Sequence, residues 1–168
     1  LSAQKCGADL VVQSTHKTLP ALTQAAILHV NNTALVDPVR RALDMLQTSS
    51  PSYLLLASLD EAQARMSDEG QVLLENTLEL AGQIHRMIGT LPGYRLLHDE
   101  VRPPWHHDPT KVVVSAAPLG LTGWELAALL RRKYGIEVEM SAYFYVLFLV
   151  NTGHVSADAS KLYQALSD

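Results

Sequence analysis

Ser14, His16 and Lys17 place a hydroxyl, an imidazole and an amine within four consecutive positions. A lysine amine that has lost its proton is a nucleophile and condenses with an aldehyde to a Schiff base. Apolar surroundings favour that neutral form by disfavouring the ammonium. The flanks suit this. Ala8 to Val12, with Asp9 inside it, reads as a short buried strand, and Ala25 to Val30 reads as a second one after Leu19-Pro20. The usual aldehyde for a catalytic lysine is pyridoxal 5'-phosphate (PLP), whose phosphate calls for hydroxyl and imidazole donors such as those just before Lys17. Taken alone, Ser-x-His-Lys is a weak signal and fits a strand end with a snorkelling lysine better.

A second hydroxyl cluster stands at Gln47-Thr48-Ser49-Ser50-Pro51. Ser50 is placed to cap a helix that starts at Pro51, leaving free N–H groups beside three hydroxyls. Such a start can bind an anion or can simply be a capped helix. A third candidate, His98 to Pro109, is rich in His, carboxylate and proline. Its histidines lack a spacing that makes ligands converge, so it reads as a solvated loop with no metal.

The elements that carry these residues follow from pattern. Asp37 reads as the N-cap of a helix with Pro38 at its first position and Val39, Leu43 and Leu46 inward. Pro51 to Ile88 is helical with a break near Ser67. Its apolar stripes are Leu55, Leu59, Ala62 and Met66, then Leu74, Leu78, Ala81, Ile84 and Ile88. Beyond Gly89 and Pro92-Gly93, strands are predicted at 94–97, 111–117, 136–140 and 145–150. Thr122-Gly123-Trp124-Glu125 is a capping box opening a helix, with Leu126, Leu129 and Leu130 inward, and 156–166 is a final helix.

Composition bounds the function. The 168 residues are 48% hydrophobic and 18% charged, which suits a packed domain or two small lobes. A net charge of -4 gives no electrostatic case for nucleic acid. The uncharged run from Met140 to Val150 is too short to span a membrane. A single cysteine, Cys6, makes no internal disulfide, as expected of a cytoplasmic protein.

Gly7-Ala8-Asp9 through Val12-Gln13-Ser14-Thr15-His16-Lys17-Thr18-Leu19-Pro20-Ala21-Leu22-Thr23-Gln24 closely resembles the PLP-lysine segment of the Orn/Lys/Arg decarboxylase family. Gln47 to Tyr53, Leu119 to Gly123 and Gly135 to Met140 match further, in the right order. The resemblance implies an α/β fold. It comprises part of the large domain of a fold-type I (aspartate-aminotransferase-like) enzyme over 1–50, connecting or interface helices over 51–92, and a small α+β lobe over 93–168. It implies decarboxylation of lysine, ornithine or arginine. Lys17 and His16 would be catalytic, Ser14, His16 and Lys17 would hold PLP, and Thr48 and Ser49 would reach the phosphate of a partner subunit in a homodimer or larger assembly. Glu139 would face the cationic tail of the substrate or, as readily, solvent. The family's ring-nitrogen Asp lies upstream of its lysine, and Asp9 does not match it, so the chain is expected to be a C-terminal piece of a longer enzyme. An aminotransferase and a non-catalytic piece that no longer binds PLP are the alternatives.

Overall fold

The computed structural model describes residues 2–101 and 106–168, and the chain divides into two compact units, Leu1–Asp68 and Glu69–Asp168. The division falls inside the 51–92 segment expected to connect two domains.

In the first unit, β1 (Leu10–Gln13) and β2 (Ile27–Val30) form an antiparallel pair in register Leu10 to Val30 and Gln13 to Ile27. A single turn of helix, α1 (Thr15–Thr18), follows β1 directly. Two longer helices complete the unit, α2 (Val36–Leu46) and α3 (Tyr53–Asp68). Several expectations need correcting here. β1 is mostly exposed, with Val12 at 74%, because only β2 pairs with it among the described residues. Asp37 lies in the first turn of α2 and does not cap it. A short 3-10 turn at Thr33–Leu35, closed by Asn32 Oδ1 on the Ala34 N–H, starts the helical path earlier. Leu46 faces out at the end of α2.

The second unit is built on a four-stranded antiparallel sheet in the order β3-β4-β6-β5. Its helices are α4 (Gly70–Gly89), the turn α5 (Leu97–Glu100), α6 (Gly123–Leu129) and α7 (Ser156–Ser167). The strands are β3 (Arg95–Leu96), β4 (Lys111–Ser115), β5 (Met140–Ser141) and β6 (Val146–Leu149). Lys111-Val-Val-Val is central, as its continuous apolar run predicts: Val112 and Val114 are fully buried and pair with β6 opposite Phe148 and Val146. The core gathers Ile84 and Ile88 of α4, Leu126 of α6, and Ala159, Leu162 and Leu166 of α7 around that sheet.

Three details differ from pattern. Leu74 and Leu78 of α4 face outward, and the buried line runs through Thr77, Ala81, Ile84 and Ile88. Leu129 is partly exposed beside buried Leu126 and Leu130, and the helix then widens to a π turn over Leu130–Tyr134 before Gly135 ends it at φ 61°. The segment 136–139 is not a strand. Glu139 N–H bonds Leu147 O, and ladder pairing begins only at Met140.

Candidate functional site

β1 delivers Ser14, Thr15, His16 and Lys17 onto one short turn, closed by Leu19 N–H on Thr15 O at 2.9 Å. Thr15 is the buried residue of that turn. Successive helical residues are rotated by about 100°, so Lys17 points roughly opposite to Thr15, and it is exposed. The two strands therefore do not enclose Lys17 as expected.

His16 is held twice by one carbonyl. Its backbone N–H donates to Ala25 O at 3.3 Å, and its ring Nδ1 lies 2.9 Å from the same oxygen. A carbonyl only accepts, so Nδ1 carries the hydrogen. Nε2 then has no protein partner among the described residues. The Ser14 hydroxyl is half-buried, does not cap α1 and makes no hydrogen bond to a described residue.

The carbonyl of Ala25 is itself carefully placed. Ala25 N–H donates to Leu22 O at 3.0 Å, closing a four-residue turn whose third residue is Gln24. Gln24 has φ 79° and is the non-glycine residue of the described chain with positive φ. That conformation costs roughly 1 kcal/mol for an L side chain. Leu22 N–H donates to Ser58 Oγ of α3 at 3.3 Å, and Ser58 donates to Leu55 O at 2.8 Å, which ties the turn to a long helix. No sequence signal marked this turn, since Thr23-Gln24 carries neither the Gly nor the Asn usual at such a position.

Thr48 and Ser49 are exposed in the segment between α2 and α3. Thr48 Oγ1 accepts from Ser50 N–H at 3.1 Å. Ser50 is not a cap: α3 begins at Tyr53, and Ser52 Oγ accepts from Leu55 N–H at 3.5 Å. The apolar residues on either side, Met45, Leu46, Tyr53 and Leu54, are strongly exposed. Glu139 is exposed and belongs to the second unit. The structure thus gathers Ser14, His16 and Lys17 on one turn, leaves Thr48 and Ser49 further along the same unit, and carries Glu139 on the other.

Among the described residues no group of three or more His, Cys, Asp or Glu side chains is arranged to hold a metal. No described helix is long and apolar enough to cross a membrane. The donor set on the α1 turn suits a phosphorylated aldehyde: a hydroxyl and an imidazole nitrogen that have no partner among the described residues, with an amine beside them in sequence.

Solved structures that share this architecture include lysine decarboxylases and aminotransferases. A Francisella novicida lysine decarboxylase aligns with a TM-score of 0.76 at 21% identity, over 94% of this chain and 27% of that one. A Nostoc alanine–glyoxylate aminotransferase aligns at 0.65 and 20% identity, over 98% of this chain and 48% of that one. These likenesses establish the fold. The family model described as Orn/Lys/Arg decarboxylase, major domain, matches residues 2–101, and the chain belongs to that family. Among curated relatives, an arginine decarboxylase of Bacillus anthracis is 39% identical over the whole of this chain and 35% of its own length. The inducible lysine decarboxylase of Escherichia coli is 28% identical over 93% of this chain and 27% of its own length. The chain therefore spans about a third of the length of the curated relatives it matches.

Proposed function

We propose that the full-length protein is a cytoplasmic, PLP-dependent decarboxylase of a basic amino acid, with arginine the first substrate to test ahead of lysine and ornithine. The observation that carries this is Ser14, His16 and Lys17 on one turn of a chain that belongs to the Orn/Lys/Arg decarboxylase family. Arginine comes first because relatives bearing that name are 38–39% identical across this chain, against 28% for a lysine decarboxylase.

Lys17 Nζ holds the cofactor, and the Ser14 hydroxyl and His16 Nε2 hold its phosphate. PLP, when bound, supplies an electron sink for the pair left on the substrate as CO2 departs. Lys17 Nζ, with His16 beside it, returns a proton to the substrate Cα. Thr48 and Ser49 serve the phosphate of a second subunit in a homodimer or larger assembly. The exposed Met45, Leu46, Tyr53 and Leu54 around them support a contact there. A cytoplasmic setting agrees with one exposed cysteine, Cys6.

The test uses full-length protein mixed with PLP and then with arginine, lysine or ornithine. The expected results are a visible absorbance band, its loss in Lys17→Ala, and release of CO2 with the matching amine. A 2-oxo acid as product would replace decarboxylation with transamination. No visible band in the wild type would remove PLP chemistry altogether.

A further inference from the structure

We infer that the Leu22–Ala25 turn, with Gln24 in the left-handed conformation, is a positioning element that presents His16 to a phosphate monoester as an imidazolium, so that phosphate binding takes up a proton at this residue. The inference rests on the reading of His16 as a phosphate ligand.

Ala25 O lies 2.9 Å from His16 Nδ1 and can only accept, so the Nδ1 hydrogen is committed to it. A neutral imidazole carries one N–H, and its other nitrogen is then a bare acceptor. A phosphate dianion is also an acceptor. Facing it, a bare Nε2 puts two lone pairs against each other. A proton on Nε2 turns the same contact into a charge-assisted hydrogen bond, among the stronger ones available to a side chain. Had the Ala25 carbonyl pointed elsewhere, a tautomer with hydrogen on Nε2 could serve the phosphate without any uptake. The carbonyl is fixed on three sides: by the turn bond from Ala25 N–H to Leu22 O, by the Leu22 N–H bond to Ser58 Oγ, and by the near-complete burial of Ala25 at 2% exposure. Gln24 at φ 79° is the residue that lets the chain turn back at that point. Strain of this kind persists where its surroundings over-determine it.

Glycine adopts φ near 79° freely, whereas a β-branched side chain resists it. Gln24→Gly therefore keeps the carbonyl in place, and Gln24→Val displaces it.

The experiment is calorimetric titration of full-length protein with pyridoxine 5'-phosphate, which has no aldehyde and so cannot react with Lys17. Titrations at about pH 8 in two buffers of different ionisation enthalpy give the proton count, since the phosphate is already a dianion well above its second pKa of about 6. The expected result is net uptake approaching one proton per site in the wild type and in Gln24→Gly. His16→Gln takes up none. Gln24→Val binds roughly tenfold more weakly, a loss of about 1.4 kcal/mol, with a reduced count. Binding by the wild type without proton uptake overturns the inference, with no variant needed, and so does an unchanged count in a folded Gln24→Val. Failure of the wild type to bind pyridoxine 5'-phosphate overturns it too. The visible band with PLP, read separately, tells whether the PLP reading survives any of these results.

Discussion

At the scale of single residues, two side chains carry a physical cost or constraint that a substitution can read out. Thr15 is 2% exposed and its Oγ1 has no hydrogen-bond partner among the described residues. An unsatisfied buried hydroxyl costs about 1–3 kcal/mol. Thr15→Val keeps the shape and removes the polar atom, so it is expected to leave stability unchanged or raise it by about 1 kcal/mol in urea unfolding. A loss of stability would show that the hydroxyl has a partner in the assembled protein. Gly123 sits at the start of α6, where a Cβ would collide with the backbone carbonyls of Ala142 and Tyr145. Its own N–H donates to Tyr143 O at 2.9 Å, so helix and turn are locked together. Gly123→Ala must push the two apart and is expected to lower the unfolding free energy by about 1–3 kcal/mol, the range for overpacked cores. A wild-type melting curve for that variant would refute the close approach. The sequence displayed neither effect, because both depend on what a distant segment brings against the residue.

At the scale of elements, legibility tracked how local the determining force is. The capping box Thr122–Glu125 was readable because both partners lie within one turn. Glu125 N–H donates to Thr122 Oγ1 at 3.2 Å, and Glu125 Oε2 accepts from Thr122 N–H at 2.8 Å. The central place of β4 was readable from its unbroken apolar run. The outward turn of Leu74 and Leu78 was not, since either of two neighbouring stripes on α4 could face the sheet and only packing chose. The Ser14–Lys17 cluster was legible as adjacent residue types, while the turn that aims His16 was set by contacts with α3. The histidines sharpen the same point. The loop before β4 is largely exposed, as its composition suggests, but His98 and His107 also approach His85 of α4, with ring centroids 4.8 to 6.1 Å apart in tilted and edge-on contacts. His85 Nε2 donates to Pro109 O at 3.0 Å, and its Nδ1 is buried without a partner among the described residues. Burial pushes its pKa below 6.5, helped by His98 and His107 and opposed by the Pro109 carbonyl and Asp99. A histidine with a depressed folded pKa binds fewer protons folded than unfolded between the two values. Its stabilising effect is whole above about pH 6.5 and falls as the pH drops below that. The denaturation midpoint is therefore expected to decline from pH 7.5 to 5.5 more steeply in the wild type than in His85→Gln. Equal slopes would show that His85 charges without cost.

At the scale of the whole molecule, the two units differ in how much apolar surface they bury. The core cluster lies between Leu80 and Leu166, all of it in the second unit. In the first unit the fully buried apolar residues, among those described, are Ala25 and Ala62. Its larger apolar side chains, including Leu10, Val12, Met45, Leu46 and Tyr53, face out. Ordering a backbone costs roughly 1–2 kcal/mol per residue, and two buried alanines cannot offset that over a unit of this size. The first unit, which carries Ser14, His16 and Lys17, must then draw stability from surfaces beyond itself. Relatives about three times as long provide room for such surfaces, and so does a second subunit. Hydrogen exchange separates the two units directly. In the 168-residue chain expressed alone, amides of β1, β2 and α2 are expected to exchange far faster than those of β4, β6 and α4. In the full-length protein the same first-unit amides become protected. Equal protection of both units in the isolated chain would mean that residues 1–68 hold themselves together, and the exposed apolar faces would then need another explanation than a missing neighbour.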